Sequence, residues 1–148
     1  MDPKLAETLY TQHSPGLYRY ALSILKRPAL AEDVLQDTFL RLLTRCPLTL
    51  TPEKAPAWLY RVARNLCYDI LRSQTQAIEE PTPIVPGGYA YLDLISPLTP
   101  AEQELVTLRI VGRLTHKETA KVLGITPASA QKRYDRAIQK LRETEELL

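Results

Sequence analysis

Glycine is scarce in this 148-residue chain, with five in all, and cysteine and histidine occur only twice each. So few glycines leave no Gly-rich loop of the kind that cradles phosphate. Cys46 and Cys67 lie 21 residues apart, with no CxxC pair and no histidine beside either. A zinc site needs about four clustered ligands, so two buried or idle thiols are expected, with no metal and no cofactor. His13 and His116 fall in unrelated contexts, and no Ser/His/acid set or motif-supported carboxylate pair occurs, so the chain reads as not an enzyme. No run approaches the ~18 apolar residues of a membrane span, which argues against membrane insertion. The opening Met1-Asp2-Pro3-Lys4-Leu5 lacks the basic and apolar regions of a signal peptide, so the expected location is the cytoplasm.

What is abundant is helix-forming sequence: Leu, Ala, Glu, Lys, Arg and Gln dominate, with 45% apolar and 24% charged residues overall. Net charge is only +2, but it is unevenly spread. Residues 1–73 carry ten Lys/Arg against seven acids, whereas 74–98 carry no Lys/Arg and three acids. Residues 99–148 return to nine against seven, and 117–142 alone hold seven basic residues and two acids. That local +5 over two candidate helices is where a polyanion is expected to dock.

Capping signals mark the helices. Asp2-Pro3 and Ser14-Pro15 each put a capping side chain before a proline at the first helical position. The second opens a helix over 15–27, with Leu17, Ala21, Ile24 and Leu25 on one face and Pro28 as its end. A helix over about 29–45 buries Ala31, Leu35, Thr38, Phe39 and Leu42 and offers Asp33, Gln36, Asp37 and Arg41 on its other side. After a Pro/Thr-rich loop, a helix over about 54–75 carries Trp58, Leu59, Val62, Ala63, Leu66 and Ile70 on a wide apolar stripe. These four helices are expected to close one small bundle. From Gln76 to Pro97, four prolines and Gly87-Gly88 predict an irregular tether. Its apolar second half, Tyr89 to Ile95, is expected to pack on a domain or a partner.

The last third restarts with two capping boxes, Thr99-Pro-Ala-Glu102 and Thr115-His-Lys-Glu118. Gly124 suits the left-handed end of the second short helix, and Thr126-Pro127 opens the final one. Two helices joined by a tight Gly-containing turn, the second one basic, form the pattern of a DNA-binding helix-turn-helix. The second helix would then present Ser129, Gln131, Lys132 and Arg136 to base edges, since Arg and Lys satisfy guanine acceptors and Gln pairs with adenine. Lys117, Lys121, Arg133 and Lys140 are better placed for phosphates.

The segments Leu98–Arg109, Leu114–Ile125 and Ser129–Leu141 resemble region 4 of the extracytoplasmic-function (ECF) sigma factors of the sigma-70 family. LuxR-type helix-turn-helix domains share part of this pattern, and the amino-terminal half separates the two. There Leu17–Leu22, Ala31–Arg41 and Ala57–Arg72 resemble region 2 of the same family, in the right order. The resemblance implies an all-α protein: a region 2 four-helix bundle over 1–75, a linker over 76–98 and a region 4 helix-turn-helix over 99–148. It also implies a transcription initiation factor whose partners are RNA polymerase core, through the largest subunit's clamp helices and the second-largest subunit's flap, and promoter DNA. An anti-sigma factor is a further partner in such a family.

By the same resemblance, Asp33, Gln36, Asp37 and Arg41 would bind the clamp helices. Arg61, Arg64, Asn65 and Arg72 would engage the −10 element, with Asp69 orienting a neighbouring Arg. Lys117, Ser129, Gln131, Lys132, Arg133 and Arg136 would engage the −35 element. The sequence departs from the family where Ala55-Pro56 replaces an aromatic residue before Ala-Trp-Leu and where Leu43 replaces a common Trp. The identity of a captured −10 base therefore does not follow. Two other readings stand beside this one: a helix-turn-helix regulator binding a duplex operator, and a sigma-like adaptor that binds polymerase without initiating.

Overall fold

The computed structural model describes residues 1–73 and 88–146, and every regular element among them is a helix. In chain order these are α1 (Pro3–Leu25), α2 (Pro28–Arg45), α3 (Ala55–Ser73), α4 (Gly88–Ile95), α5 (Pro100–Ile110), α6 (His116–Leu123) and α7 (Pro127–Glu146). None is long and apolar enough to cross a membrane. Most of the tether predicted from Gln76 onward lies outside the described residues.

The first unit differs from the expected bundle in helix count. The two amino-terminal helices are one, because α1 runs through Pro15 without ending. A proline inside a helix costs about 3 kcal/mol, and here a continuous buried stripe from Ala6 and Leu9 to Leu17, Ala21 and Leu25 offsets it. Three helices therefore make the unit. Pro28 also plays a different part from the one predicted. Lys26 ends α1 in the left-handed conformation at φ 59°, its N–H returning to the Leu22 carbonyl, and Pro28 opens α2. Proline suits that position because the first-turn N–H has no helical partner anyway. Leu17, Tyr20, Ala21, Leu22, Ala31, Val34, Leu42, Leu59 and Ala63 fill the core between α1, α2 and α3.

The second unit follows its local signals closely. Both capping boxes form, with Thr99 and Thr115 hydroxyls accepting from the N–H groups of Glu102 and Glu118 and each glutamate accepting from its cap residue in return. Gly124 takes φ 69° and closes α6. The hydroxyl of Thr126 accepts from the Ser129 N–H at 3.1 Å and starts α7. Leu105, Ala120 and Ala130 form the helix-turn-helix core. The tether's apolar end is helical and packs here: Ile95 and Leu98 join Val106 and Ala137, and the Tyr91 hydroxyl lies 2.7 Å from that of Thr107.

The two units do not stand apart. Leu108, Leu114 and Val122 bury in the core of the first unit, with α6 against α3 and α5 against α1. Tyr60 of α3, 1% exposed, sits at the junction. Gly112 is required there: a Cβ would come within 2.7 Å of the Leu108 carbonyl and 3.0 Å of the Tyr60 ring.

Candidate nucleic-acid interface

Helix α7 presents an exposed cationic surface. Gln131, Lys132, Arg133 and Arg136 are exposed, while Ser129 is half-buried beside its cap. Ala128, Ser129, Gln131, Lys132 and Asp135 line one shallow groove, so a duplex lying there would meet Gln131, Lys132 and Asp135 together. Arg133 and Arg136 face a different space, a crevice of about 220 Å³ shared with Arg64, Glu102 and Glu104. Five of the six residues expected to engage one element thus fall on two faces. Lys117 is exposed at the start of α6. Lys140, expected at phosphate, is paired with Glu102 at 3.0 Å.

On α3, Arg61 and Asn65 are exposed. Arg72 is also exposed and is bound by Asp69 one turn earlier, the orienting pair the sequence suggested. Trp58 is half-buried and lines a groove with Leu50, Lys54, Arg61 and Lys121, next to the loop that precedes α3.

Arg64 is different. Its Nε donates to Glu104 Oε1 at 2.5 Å, across from α3 to α5. The same oxygen accepts from the Tyr20 hydroxyl at 2.6 Å, and Oε2 accepts from the Tyr68 hydroxyl at 2.8 Å. The Arg64 guanidinium also lies 4.8 Å from the Tyr68 ring centroid, within cation–π range. Glu104 is only 4% exposed. A buried carboxylate is tolerable only when paired and fully hydrogen-bonded, and its three donors all come from the first unit. Burial and the adjacent Glu104 charge push Tyr20 well above the usual tyrosine range and raise Tyr68 to about 12. Burial disfavours the Arg64 cation, but the Glu104 carboxylate outweighs it and holds the guanidinium charged.

Sequence reasoning missed Glu104, Tyr20 and Tyr68. A signal existed: Glu104 stands one turn before Leu108, on a face otherwise apolar, and an acid there demands partners.

On α2, Asp33 and Gln36 are exposed, while Asp37 and Arg41 pair with each other at 3.6 Å. Leu40 and Leu43, each 58% exposed, flank them. Asp33 and Asp37 border a groove toward α3 that Asp69 also lines, over an apolar floor of Val34, Leu66 and Ile70; Asp37 and Asp69 are each paired with an arginine of their own helix. Among the described residues no group of three or more His, Cys, Asp or Glu side chains could hold a metal ion.

Comparison with known proteins assigns this architecture. Residues 9–77 match the family model of sigma-70 region 2, and residues 89–141 match that of sigma-70 region 4. The ECF RNA polymerase sigma factor BldN of Streptomyces coelicolor is 32% identical over 90% of this chain, which spans 57% of BldN's own length. The RNA polymerase sigma factor CarQ of Myxococcus xanthus is 30% identical, with 93% of this chain and 87% of CarQ covered. Among solved structures, the sigma factor RpoE in complex with the anti-sigma factor NepR from Bartonella quintana shares the fold, with a TM-score of 0.74 at 20% identity over 95% of both chains. Two sigma regions in family order, on a helical fold that ends in a basic helix-turn-helix, place this chain in the ECF group of the sigma-70 family, the transcription initiation factors of RNA polymerase.

Proposed function

We propose that this chain binds RNA polymerase core and directs it to promoters, reading −10 with α3 and −35 with α7. The observation that carries the reading is the pairing of a region 2 match and a region 4 match on one chain, the second containing an exposed cationic helix. A lone operator-binding helix-turn-helix would need only the second.

The chemistry at each face supports a division of labour. Asp33, Gln36, Asp37 and Arg41, beside the exposed Leu40 and Leu43, suit a basic helical surface such as the clamp helices: acids steer docking and the leucines add buried area. Arg61, Arg64, Asn65 and Arg72 supply cations and an amide for a melted −10 strand, where extruding a base costs a few kcal/mol and needs a receptive surface. Ser129, Gln131 and Lys132 suit base edges in a major groove, with Lys117 on phosphates; Arg136 at a base edge and Arg133 at a phosphate would have to turn out of the crevice they share with Arg64 and Glu104. The proposed functional limits are region 2 over 1–75, a linker over 76–98 whose end, with Ile95 and Leu98, packs on region 4, and region 4 over 99–148, which also meets the flap. Polymerase performs the chemistry, so the chain itself acts without catalysis or cofactor, in the cytoplasm. Its likeness to RpoE, solved with the anti-sigma factor NepR, supports an anti-sigma partner here too.

The test is transcription by purified bacterial core polymerase on genomic fragments, with and without this chain. New defined start sites, lost on Arg61→Ala plus Asn65→Ala, are expected. A stable complex without new starts would favour the adaptor reading, and no complex would overturn polymerase binding altogether.

A further inference from the structure

We propose that Asp135 is a specificity-determining residue of the −35 interface, a carboxylate that selects cytosine by accepting a hydrogen bond from its exocyclic amino group. The inference rests on the promoter-reading function above, which lays α7 on the −35 duplex.

Helix periodicity divides the polar surface of α7 into two stripes. Ala128, Gln131, Lys132 and Asp135 follow one another at the three- and four-residue spacing that shares a helix face, and with Ser129 they line one open groove. Arg133, Arg136 and Lys140 repeat that spacing on another face. There the two arginines enter the crevice with Glu102 and Glu104, and Lys140 pairs with Glu102. Ala128, Gln131, Lys132 and Asp135 are all exposed, and Lys132 and Asp135 leave their stripe with no net charge. A neutral stripe gains little from phosphates, so its contribution on a duplex is discrimination between bases.

Among the described residues Asp135 has no ion-pair partner, although Lys132 stands one turn before it. Phosphates repel this side chain, and a carboxylate can only accept hydrogen bonds. In the major groove guanine offers two acceptors and thymine one. Adenine sets an acceptor beside its amino group, and cytosine alone offers a donor with no acceptor next to it. A carboxylate in the groove therefore costs free energy over guanine or thymine, is partly satisfied over adenine and is satisfied over cytosine. The rest of the stripe carries complementary chemistry: Ala128 suits a thymine methyl, Gln131 an adenine and Lys132 a guanine. From Gln131 to Asp135 the helix advances about 6 Å, and base pairs repeat about every 3.4 Å. The selected cytosine accordingly lies within about two base pairs of the one that Gln131 meets.

The test maps start sites made by core polymerase with the full chain on templates randomised at the upstream element. It compares the wild type with Asp135→Ala, Asp135→Asn and Lys132→Ala. The wild type should favour cytosine at one upstream position by about tenfold over guanine or thymine. Asp135→Ala should bring that preference within about twofold and leave neighbouring positions selected. Asp135→Asn should move it toward adenine, because a side-chain amide pairs with adenine N6 and N7. A change of preferred base is a result that a merely stabilising surface acid would not give. Fluorescence anisotropy on the selected duplex, and on the same duplex with guanine in place of that cytosine, gives a second readout. The ratio of the two affinities should fall about tenfold in Asp135→Ala. Base selection and affinity ratio unchanged in both Asp135 variants, or a wild type without an upstream cytosine, would overturn the assignment. Relaxed selection in Lys132→Ala would then leave the promoter-reading function standing. A wild type that makes no start sites, or selects nothing upstream, would strike that function and the role of Asp135 with it.

Discussion

Removing Arg64 and Glu104 singly and together should reveal a coupling of about 2 kcal/mol. Point charges ~4 Å apart at an effective dielectric near 20 attract by about 4 kcal/mol. Arg64 keeps 31% of its side chain in solvent, and Glu104 keeps 4%. The pair therefore falls between exposed pairs, worth about 0.2–1 kcal/mol, and buried ones, where loss of one partner costs about 3–5 kcal/mol. Glu104→Ala also strips the acceptor from Tyr20, which is 0% exposed, and an orphaned buried hydroxyl costs about 1–3 kcal/mol. That single variant should lose about 4 kcal/mol and Arg64→Ala about 3, the latter leaving a carboxylate held by two tyrosines. The double variant should lose about 5, because each first loss removes part of what the second would cost. Urea unfolding followed by far-ultraviolet circular dichroism measures all three, with equal m-values as the check that the compared states match. A double variant equal to the sum of the singles within about 0.5 kcal/mol would refute the clasp as an energetic unit.

Three further outcomes follow from the second unit and the thiols. Thr115→Ala should cost about 1 kcal/mol in the same unfolding assay, because it removes the α6 cap, and no loss would argue that the box is idle. The Thr99 N–H, at 2.9 Å, is the largest influence holding the Glu102 carboxyl below its ordinary value; burial opposes it, and Lys140 adds to the lowering. Its contribution is present above the unfolded pKa near 4.3 and fades as pH falls through the lower folded value, so Glu102→Gln should flatten stability against pH in that window; an unchanged slope would contradict this. Cys67 is fully buried, and burial raises its thiol to about 12, whereas Cys46 is half-buried. A thiol reagent at pH 8 should titrate one group in the native chain and two in denaturant, and two in the native chain would contradict the packing around α3.

The parts of the fold that sequence discloses are those whose cause is local. Thr99 and Thr115 cap because a glutamate stands three residues on, and Gly124 ends α6 because φ 69° costs it little. The apolar face of α2 is equally readable, with Ala31, Thr38, Phe39 and Leu42 buried, although Val34 escaped notice. Local signals mislead where packing overrules them. Ser14-Pro15 has every mark of a helix start, yet one apolar stripe spans it and α1 continues. Contacts remote in sequence leave almost no trace: Glu104 meets Tyr20 across 84 positions and Arg64 across 40. Arg64 accordingly reads from sequence as one of four equivalent candidates on α3, and the structure gives it a buried partner from the other unit, whereas Arg72 pairs with the exposed Asp69 of its own helix. The −35 candidates show the same effect, since Gln131 and Lys132 share an open groove while Arg133 and Arg136 turn toward the crevice beside Arg64.

The most direct test of a two-region promoter reader is start-site mapping by core polymerase on a library randomised at both promoter elements, comparing the wild type with Lys132→Ala. The wild type should select defined sequences at both elements, and Lys132→Ala should relax selection at the upstream element while leaving the downstream one intact. Equal relaxation at both elements, or selection that survives unchanged, would contradict the assignment of α7 to −35 and α3 to −10.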